Sequence, residues 1–353
     1  MTGQAPGGQH TGRSRTTIRD VARAADVSIT TVSHVLSGHG RVSKETTKRV
    51  LEAVKRSGYR ANAHAQHLVT RRSQTLTIQV STLAGPPDAG ALIPNSEYFL
   101  EVLNGAAEAA AELDYALVLT PPGPIHVTDI RFTADGAILV DPSGDEPYFT
   151  DDRLSDVRLV TTGRRTAGDR SGSVVDNNHT HSAAVLLDHL WSQSYERPAF
   201  ITSSTTRSYT YDLLTGYRQW AQAHEVTPRI VELDLPPTRD AAARATRELL
   251  GGKDAPDAVM ASSEELAVGA LQGAIAHGLS VPGDIGICSA VDSGVLQLIA
   301  TPVTAMYLNP RSIGRSSVEL LCALLDEDDH EAVVVEIPTE LRVRASTLRT
   351  SGS

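Results

Sequence analysis

Between residues 17 and 57 the apolar positions recur with helical spacing, and beyond residue 74 they gather into short runs separated by amphipathic stretches. In the first region Ile18, Val21, Ala22 and Ala25 fall at i, i+3, i+4 and i+7, which makes one apolar stripe on a helix. Thr17 and Asp20 supply a capping box at its start. After an Asp26-Val27 turn, Ser28 caps a second helix that carries Val32, Val35 and Leu36 on one side and Thr30, Ser33 and His34 on the other. A third helix begins at Val42-Ser43. Ser43 is its cap, Glu45 suits the positive end of the dipole, and Val50, Leu51 and Val54 continue an apolar stripe toward Tyr59. Three helices of this size close one small core. Two short helices joined by a tight turn, the second with a small polar outer face, suit the reading of DNA; an ordinary three-helix subdomain is the alternative.

From Gln74 onward the pattern predicts strands over 75–80, 116–120, 136–140, 157–161, 198–202, 258–261 and 285–289. Helical periodicity follows several of them, over 97–113, 181–193, 214–224, 239–250 and 263–277. Strand and helix in alternation predict parallel sheets covered on both faces, the doubly wound α/β class. Two successive sets of such units, meeting near residue 173, predict two lobes with a cleft between them. Loops at the carboxyl ends of the strands are where ligands collect.

Charge sharpens the division. Residues 1–72 hold 13 Lys or Arg against 4 Asp or Glu, and the remainder holds 19 against 38, so a head of +9 precedes a body of −19. The whole-chain charge of −10 would speak against a polyanionic partner, but the asymmetry places a phosphate-seeking head on a DNA-repelling body. The 353 residues and 41% apolar content suffice for one small domain and one or two larger ones. Residues 1–15 lack the apolar run of a secretory signal and read as a disordered leader. No apolar stretch is long enough for a membrane span. Cys288 and Cys322 have no motif spacing and sit in apolar surroundings, as buried thiols of a reducing cytosol do.

Other chemistry finds little support. Gly251-Gly252-Lys253-Asp254 lacks the spacing and the Ser/Thr of a phosphate-binding loop, and no Gly-x-Ser-x-Gly elbow occurs. Asp176, His179 and His181 read as a polar cluster at a helix start in preference to a metal site. An aromatic content of 4% is low for a protein that stacks single-stranded bases.

In three places the chain resembles the LacI family of bacterial transcriptional regulators. Asp20-Val21-Ala22, Val27-Ser28, Thr31-Val32-Ser33, Val42-Ser43 and Gly58-Tyr59 resemble its helix-turn-helix headpiece, and His34 is shared with the purine-repressor branch. Residues 62–68 resemble its hinge helix. The body carries Asp135-Gly136, Asp188-His189-Leu190, Gly216-Tyr217, Gly269-Ala270-Leu271, Pro282-Gly283-Asp284-Ile285, Thr301-Pro302-Val303-Thr304 and the ending 340–347, in family order.

The resemblance implies a small all-α headpiece (16–61), a hinge (62–73) and a two-lobed periplasmic-binding-protein-like body (74–348) followed by a tail (349–353). It divides the body into a first lobe of about 74–173 plus 308–332 and a second of about 174–307 plus 333–348. It implies a homodimer on a pseudo-palindromic double-stranded operator, with each second helix in a major groove. The DNA-contacting set is then Thr17, Arg19, Ser28, Ile29, Thr30, Thr31, Ser33 and His34, joined by Asn62, Ala65 and Leu68 of the hinge; Leu68 is the wedge in the minor groove. Lys44, Lys48 and Arg49 would meet phosphates. Ala61 and Gln66 depart from the Pro and Arg usual in that hinge, with Arg71 and Arg72 nearby.

In the cleft the departures are larger. The family's ligand-clamping Arg and Asp fall by register on Leu213 and Val291, its aromatic platform on Leu235, and its Asn-Asp pair on Ser263-Glu264. Tyr209, Tyr211, Asp212, Leu213, Leu235, Ser263 and Asp292, with Arg207, form the candidate effector set. A site without the bidentate Arg and its opposing carboxylate is poorly matched to a sugar diol, so the expected effector is a small molecule other than a standard sugar. The segment 120–133 is shorter than the helix-bearing one usual there, which predicts a lost or truncated helix in the first lobe. The expectation is a cytoplasmic dimeric repressor that needs no cofactor, metal or membrane and is not an enzyme. A solute-binding protein and a cleft enzyme are the alternatives.

Overall fold

The computed structural model describes residues 16–37, 42–57, 72–81, 96–120, 134–154, 157–166, 172–204, 207–326 and 331–349. The chain divides into two compact units, residues 1–73 and 74–353.

The first unit is built from α1 (Ile18–Ala25), α2 (Ile29–Ser37) and α3 (Lys44–Ser57). Val21, Ala22, Ala25, Val32, Val50 and Ala53 form its core, with Ile18, Val27, Val35, Leu36 and Val54 packed against them. Leu51, expected on the apolar stripe of α3, is instead 51% exposed. On a helix it lies about 100° around from Val50, whereas Ala53 and Val54 return to the core side. Asp26 ends α1 in the left-handed region at φ 52°, a conformation that Asp tolerates, and its N–H caps the carbonyls of Ala22 and Arg23. The Thr16 hydroxyl donates to the carbonyl of Ser57 at 3.1 Å and ties the two ends of the unit together.

The second unit holds two six-stranded sheets. The first comprises β1 (Thr75–Val80), β2 (Ala116–Thr120), β3 (Gly136–Val140), β4 (Arg158–Thr162), β5 (Ser173–Asp176) and β11 (Val334–Glu336), in the order β11-β5-β4-β3-β1-β2 and wholly parallel. Ile78 of β1 stands between Leu119 and Ile138 in register. One face packs against α4 (Glu97–Glu112) and α11 (Pro310–Asp326) through Leu76, Ile78, Ile138, Val102, Ala106, Ile313 and Leu321. On the other face Ala137 and Leu139 meet Tyr148 of the short α5 (Pro147–Thr150) and Leu154. The truncated helix expected over 120–133 falls almost wholly outside the described residues.

The second sheet comprises β6 (Pro198–Ser203), β7 (Ile230–Leu233), β8 (Ala258–Ala261), β9 (Gly286–Ser289), β10 (Thr304–Tyr307) and β12 (Glu340–Arg342), ordered β12-β10-β9-β8-β6-β7. Among the described residues of this sheet, only the edge strand β12 runs antiparallel. α6 (His179–Ser192) and α7 (Ser208–Ala223) cover one face; α8 (Arg239–Leu250), α9 (Glu264–Ala276) and α10 (Gly294–Leu298) cover the other. This is the doubly wound, two-lobed architecture that the alternation predicted.

Two lobe boundaries need correction. β5 and β11 pair in the first sheet, so residues 174–176 and 333–336 belong to the first lobe and not, as expected, to the second. Each is too short to announce its sheet by pattern, and only pairing assigns it. The crossovers therefore lie at Asn177, at Leu308-Asn309 and at Ile337-Pro338. Asn177 pins them together by donating its side-chain N–H groups to the carbonyls of Leu308 at 3.1 Å and Ile337 at 2.8 Å. The Asn309 side chain donates to Pro338 at 2.8 Å.

Candidate nucleic-acid interface and interlobe cleft

In the first unit the polar side of α2 faces outward. Ile29, Thr30 and His34 are exposed, and Ser33 is half-buried beside them. Ser28 and Thr31 fix the start of this helix. The Ser28 hydroxyl accepts from the Thr31 N–H at 3.0 Å and shares a bond with the Thr31 hydroxyl at 2.8 Å. The Asp20 carboxylate accepts the Thr17 N–H at 2.9 Å and its hydroxyl at 2.7 Å, which closes the expected capping box. The bond from the Thr17 backbone, then that from its side chain, hold the Asp20 carboxyl below its usual range. Both helix starts present N–H groups and partial positive charge, the feature that receives phosphate oxygens. Arg19, Lys44, Lys48 and Arg49 are exposed. Asn62, Ala65 and Leu68 lie outside the described residues.

In the second unit the candidate effector residues separate. Tyr209 is half-buried, its ring edge-on to His179 with centroids 6.1 Å apart. Asp212 is buried and paired with Arg164. Tyr211 is 63% exposed on the outside of α7. Leu213 is only 1% exposed and packs in the core under α6 and α7, so it does not occupy a clamp position. α7 begins at Ser208, six residues earlier than the helix expected from 214, so Leu213 lies within it and on its buried side. Leu235 follows β7 and precedes a cis peptide to Pro236. Ser263 caps α9, its hydroxyl accepting the Leu266 N–H at 3.4 Å. Asp292 is engaged by two arginines near the chain end. Its carboxylate takes both arms of Arg344 at 2.7 Å and Arg342 at 3.1 Å.

The strand ends bring Asp176, His179 and Arg207, singled out separately in the sequence, together with Asp141 and Tyr98, which were not. Asp141 follows β3, Asp176 ends β5, and Arg207 opens α7 from the other lobe; His179 and Tyr98 stand with them. Carboxyl ends of parallel strands collect ligand groups, and Asp141 stands at such an end. Arg207 donates to the Asp141 carbonyl and lies 3.7 Å from the Glu146 carboxylate. Glu146 is itself held by the Ser81 hydroxyl at 2.7 Å and the Ser143 and Gly144 N–H groups at 2.8 Å. Burial pushes its carboxyl up, but these bonds outweigh burial and hold it below the usual range. Burial, then the charges of Asp141 and Asp176, push the Tyr98 hydroxyl well above its ordinary value.

Asp141 has the opposite balance. Burial pushes its carboxyl up to about 6 from 3.8, opposed by Arg207 and His179 and reinforced by Asp176. The folded chain therefore holds this proton more tightly than the unfolded chain, and the contribution to stability falls as pH rises from about 4 to about 6. Asp141→Asn is expected to flatten the pH dependence of the denaturation midpoint in that window and to raise the midpoint at neutral pH. Parallel pH profiles for the two proteins would refute this assignment. Ionisable groups strained in this way cluster at functional clefts.

Comparison with known proteins agrees with both units. Residues 17–62 match the profile of bacterial regulatory proteins of the lacI family, and residues 187–347 match the periplasmic binding protein-like domain. The chain belongs to the LacI family. As a LacI-family member it is a DNA-binding transcriptional regulator with a ligand-binding body. It is 25% identical over 344 residues to the catabolite control protein A of Priestia megaterium, covering 94% of this chain and 99% of the relative. It is 26% identical to the HTH-type transcriptional repressor PurR of Vibrio campbellii, covering 93% and 97%. Its fold is similar to that of the lac repressor dimer bound to operator and the anti-inducer ONPF, with a TM-score of 0.74 at 19% identity over 95% of this chain and 100% of that one. Among the described residues of this LacI-family chain, no helix is long and apolar enough to cross a membrane.

Proposed function

We propose that this chain is a homodimeric, non-enzymatic repressor in the cytoplasm, reading a pseudo-palindromic operator with α2 and answering to a small molecule in the interlobe cleft. The outward face of α2 carries the proposal: Ile29, Thr30, Ser33 and His34 on a helix whose start is locked by Ser28 and Thr31. In a major groove these side chains meet base edges and a thymine methyl, while Thr17, Arg19, Lys44, Lys48 and Arg49 meet phosphates. The hinge, with Asn62, Ala65 and Leu68, is assigned to the minor groove at the operator centre. The effector is not a standard sugar. Leu213 is in the core and Asp292 is bound to two arginines, so the bidentate clamp for a diol is missing.

Selection from a random duplex pool at near-physiological salt tests the reading. A palindrome with a central CG step is the expected product; no enrichment over input overturns the proposal. With that operator, His34→Ala is expected to weaken specific binding about tenfold or more, since a base contact is worth about 1–3 kcal/mol. Binding to random DNA should hold steady, because phosphate contacts supply most of it. Equal losses on both would remove His34 from the base-reading set.

A further inference from the structure

Two arginines cross the boundary between the lobes in opposite directions. Arg207, at the start of α7 in the second lobe, reaches the Asp141 carbonyl and the Glu146 carboxylate of the first. Arg164, just after β4 in the first lobe, pairs with Asp212 in the second, and its backbone N–H donates to the Ser208 hydroxyl at 3.0 Å. A third link joins other elements: the Glu97 carboxylate at the start of α4 accepts the Gly294 N–H of α10 at 2.6 Å.

We propose that this chain closes its own interlobe cleft, Arg207 and Arg164 serving as reciprocal latches backed by Glu97, and that an effector acts by displacing them. The proposal takes from the regulator reading only that lobe movement is the signal. The inner latch is dry, with the Arg207 side chain 7% exposed and that of Glu146 9%. Glu146 is already oriented by Ser81, Ser143 and Gly144, so the charge that Arg207 meets is fixed in place before closure. Those bonds already replace part of the hydration of Glu146, so less desolvation opposes its attraction for Arg207 when the lobes close. The outer latch differs, because Arg164 remains 46% exposed at the rim. It is the first point at which an entering molecule can compete. Asn177, pinning all three crossovers, keeps the lobes in register while the latches open.

Closure can be read directly as a distance. The full-length chain carrying Cys322→Ser would be spin-labelled at Ala111→Cys, on the exposed end of α4, and at Lys253→Cys, in the exposed turn after α8. It would be diluted with excess unlabelled chain and freed of small molecules. One narrow interlobe distance is expected, becoming longer and broad in Arg164→Ala/Arg207→Ala. A broad distribution in the parent, or an unchanged one in the double variant, overturns the latch. Should the double variant not fold, as judged by circular dichroism, Arg164→Asp should open the lobes and Arg164→Asp/Asp212→Arg should restore the narrow distance. Failure of that restoration also overturns it. Operator selection on the same protein separates the two ideas: no enriched sequence sinks the regulator reading and leaves the distance result standing, whereas an unmoved distance sinks the latch and leaves the operator.

Discussion

Gly105→Ala is expected to destabilise the protein by about 3 kcal/mol, the upper end of what overpacking usually costs. A methyl group built at this position would lie 1.9 Å from the carbonyl oxygen of Arg311 and 2.8 Å from its carbon. The contact is reciprocal, since a methyl at Gly314 would lie 1.9 Å from the Val102 oxygen and 2.8 Å from the Ala106 nitrogen. α4 and α11 thus touch backbone to backbone, and no side-chain rotation can make room. The helices would have to part, opening the cluster of Val102, Ala106, Ile313 and Leu321 over the first sheet. Parting them would also lengthen the outer ion pairs, Arg311 to Glu108 at 2.7 Å and Arg315 to both oxygens of Glu112 at 2.7 and 2.9 Å. Gly251→Ala is the control. Its methyl would meet nothing nearer than 3.5 Å, and its right-handed helical backbone suits Ala, so it should be neutral or slightly stabilising. Urea midpoints decide the matter: if Gly105→Ala and Gly251→Ala unfold together, the close approach of the two helices is not what holds this lobe.

The periodic part of that contact was legible and the contact itself was not. The helix over 97–113 could be read from spacing, and its run of Ala and Gly signals a surface made for close approach. Its partner lies two hundred residues downstream, in a segment that the sequence placed in the same lobe but not against a particular helix. The head behaved differently. Its three helices are local, its caps act over three residues, and the expected capping box and Ser28 cap are present as bonds. Leu51 departs from the expected stripe because Val50 takes the inward position and helical geometry turns the next residue away from the core. In the body the seven expected strands are present, whereas β5 and β11, of four and three residues, are placed by pairing with distant chain. The cleft was the least legible. Candidates there were transferred by register, and a register cannot show that Leu213 has turned inward or that Arg207 has reached across to the other lobe.

Asp292 makes the same point with a measurable consequence: Asp292→Ala is expected to cost about 3–5 kcal/mol, the penalty for removing one partner of a buried ion pair. The side chain is 1% exposed, and Arg344, which grips both of its oxygens, is 13% exposed. Arg342 and Arg344 alternate along the chain end at β12, so a two-residue period turns both toward Asp292. Arg344 also donates to the Val303 carbonyl at 2.7 Å, and Arg342 stacks its guanidinium 3.6 Å from the Tyr307 ring. Removing the carboxylate would therefore leave a guanidinium shut in without a counter-charge and loosen the edge of the second sheet. Asp292→Ala/Arg344→Met should recover much of the loss, because the orphaned charge is then gone. An effector contact would behave otherwise: removing it would leave the melting temperature in place and change only the response to ligand. A large drop in melting temperature for the single variant, relieved in the double, makes Asp292 a clasp on the chain end. An unchanged melting temperature would return Asp292 to the effector set and make the two arginine bonds incidental to stability.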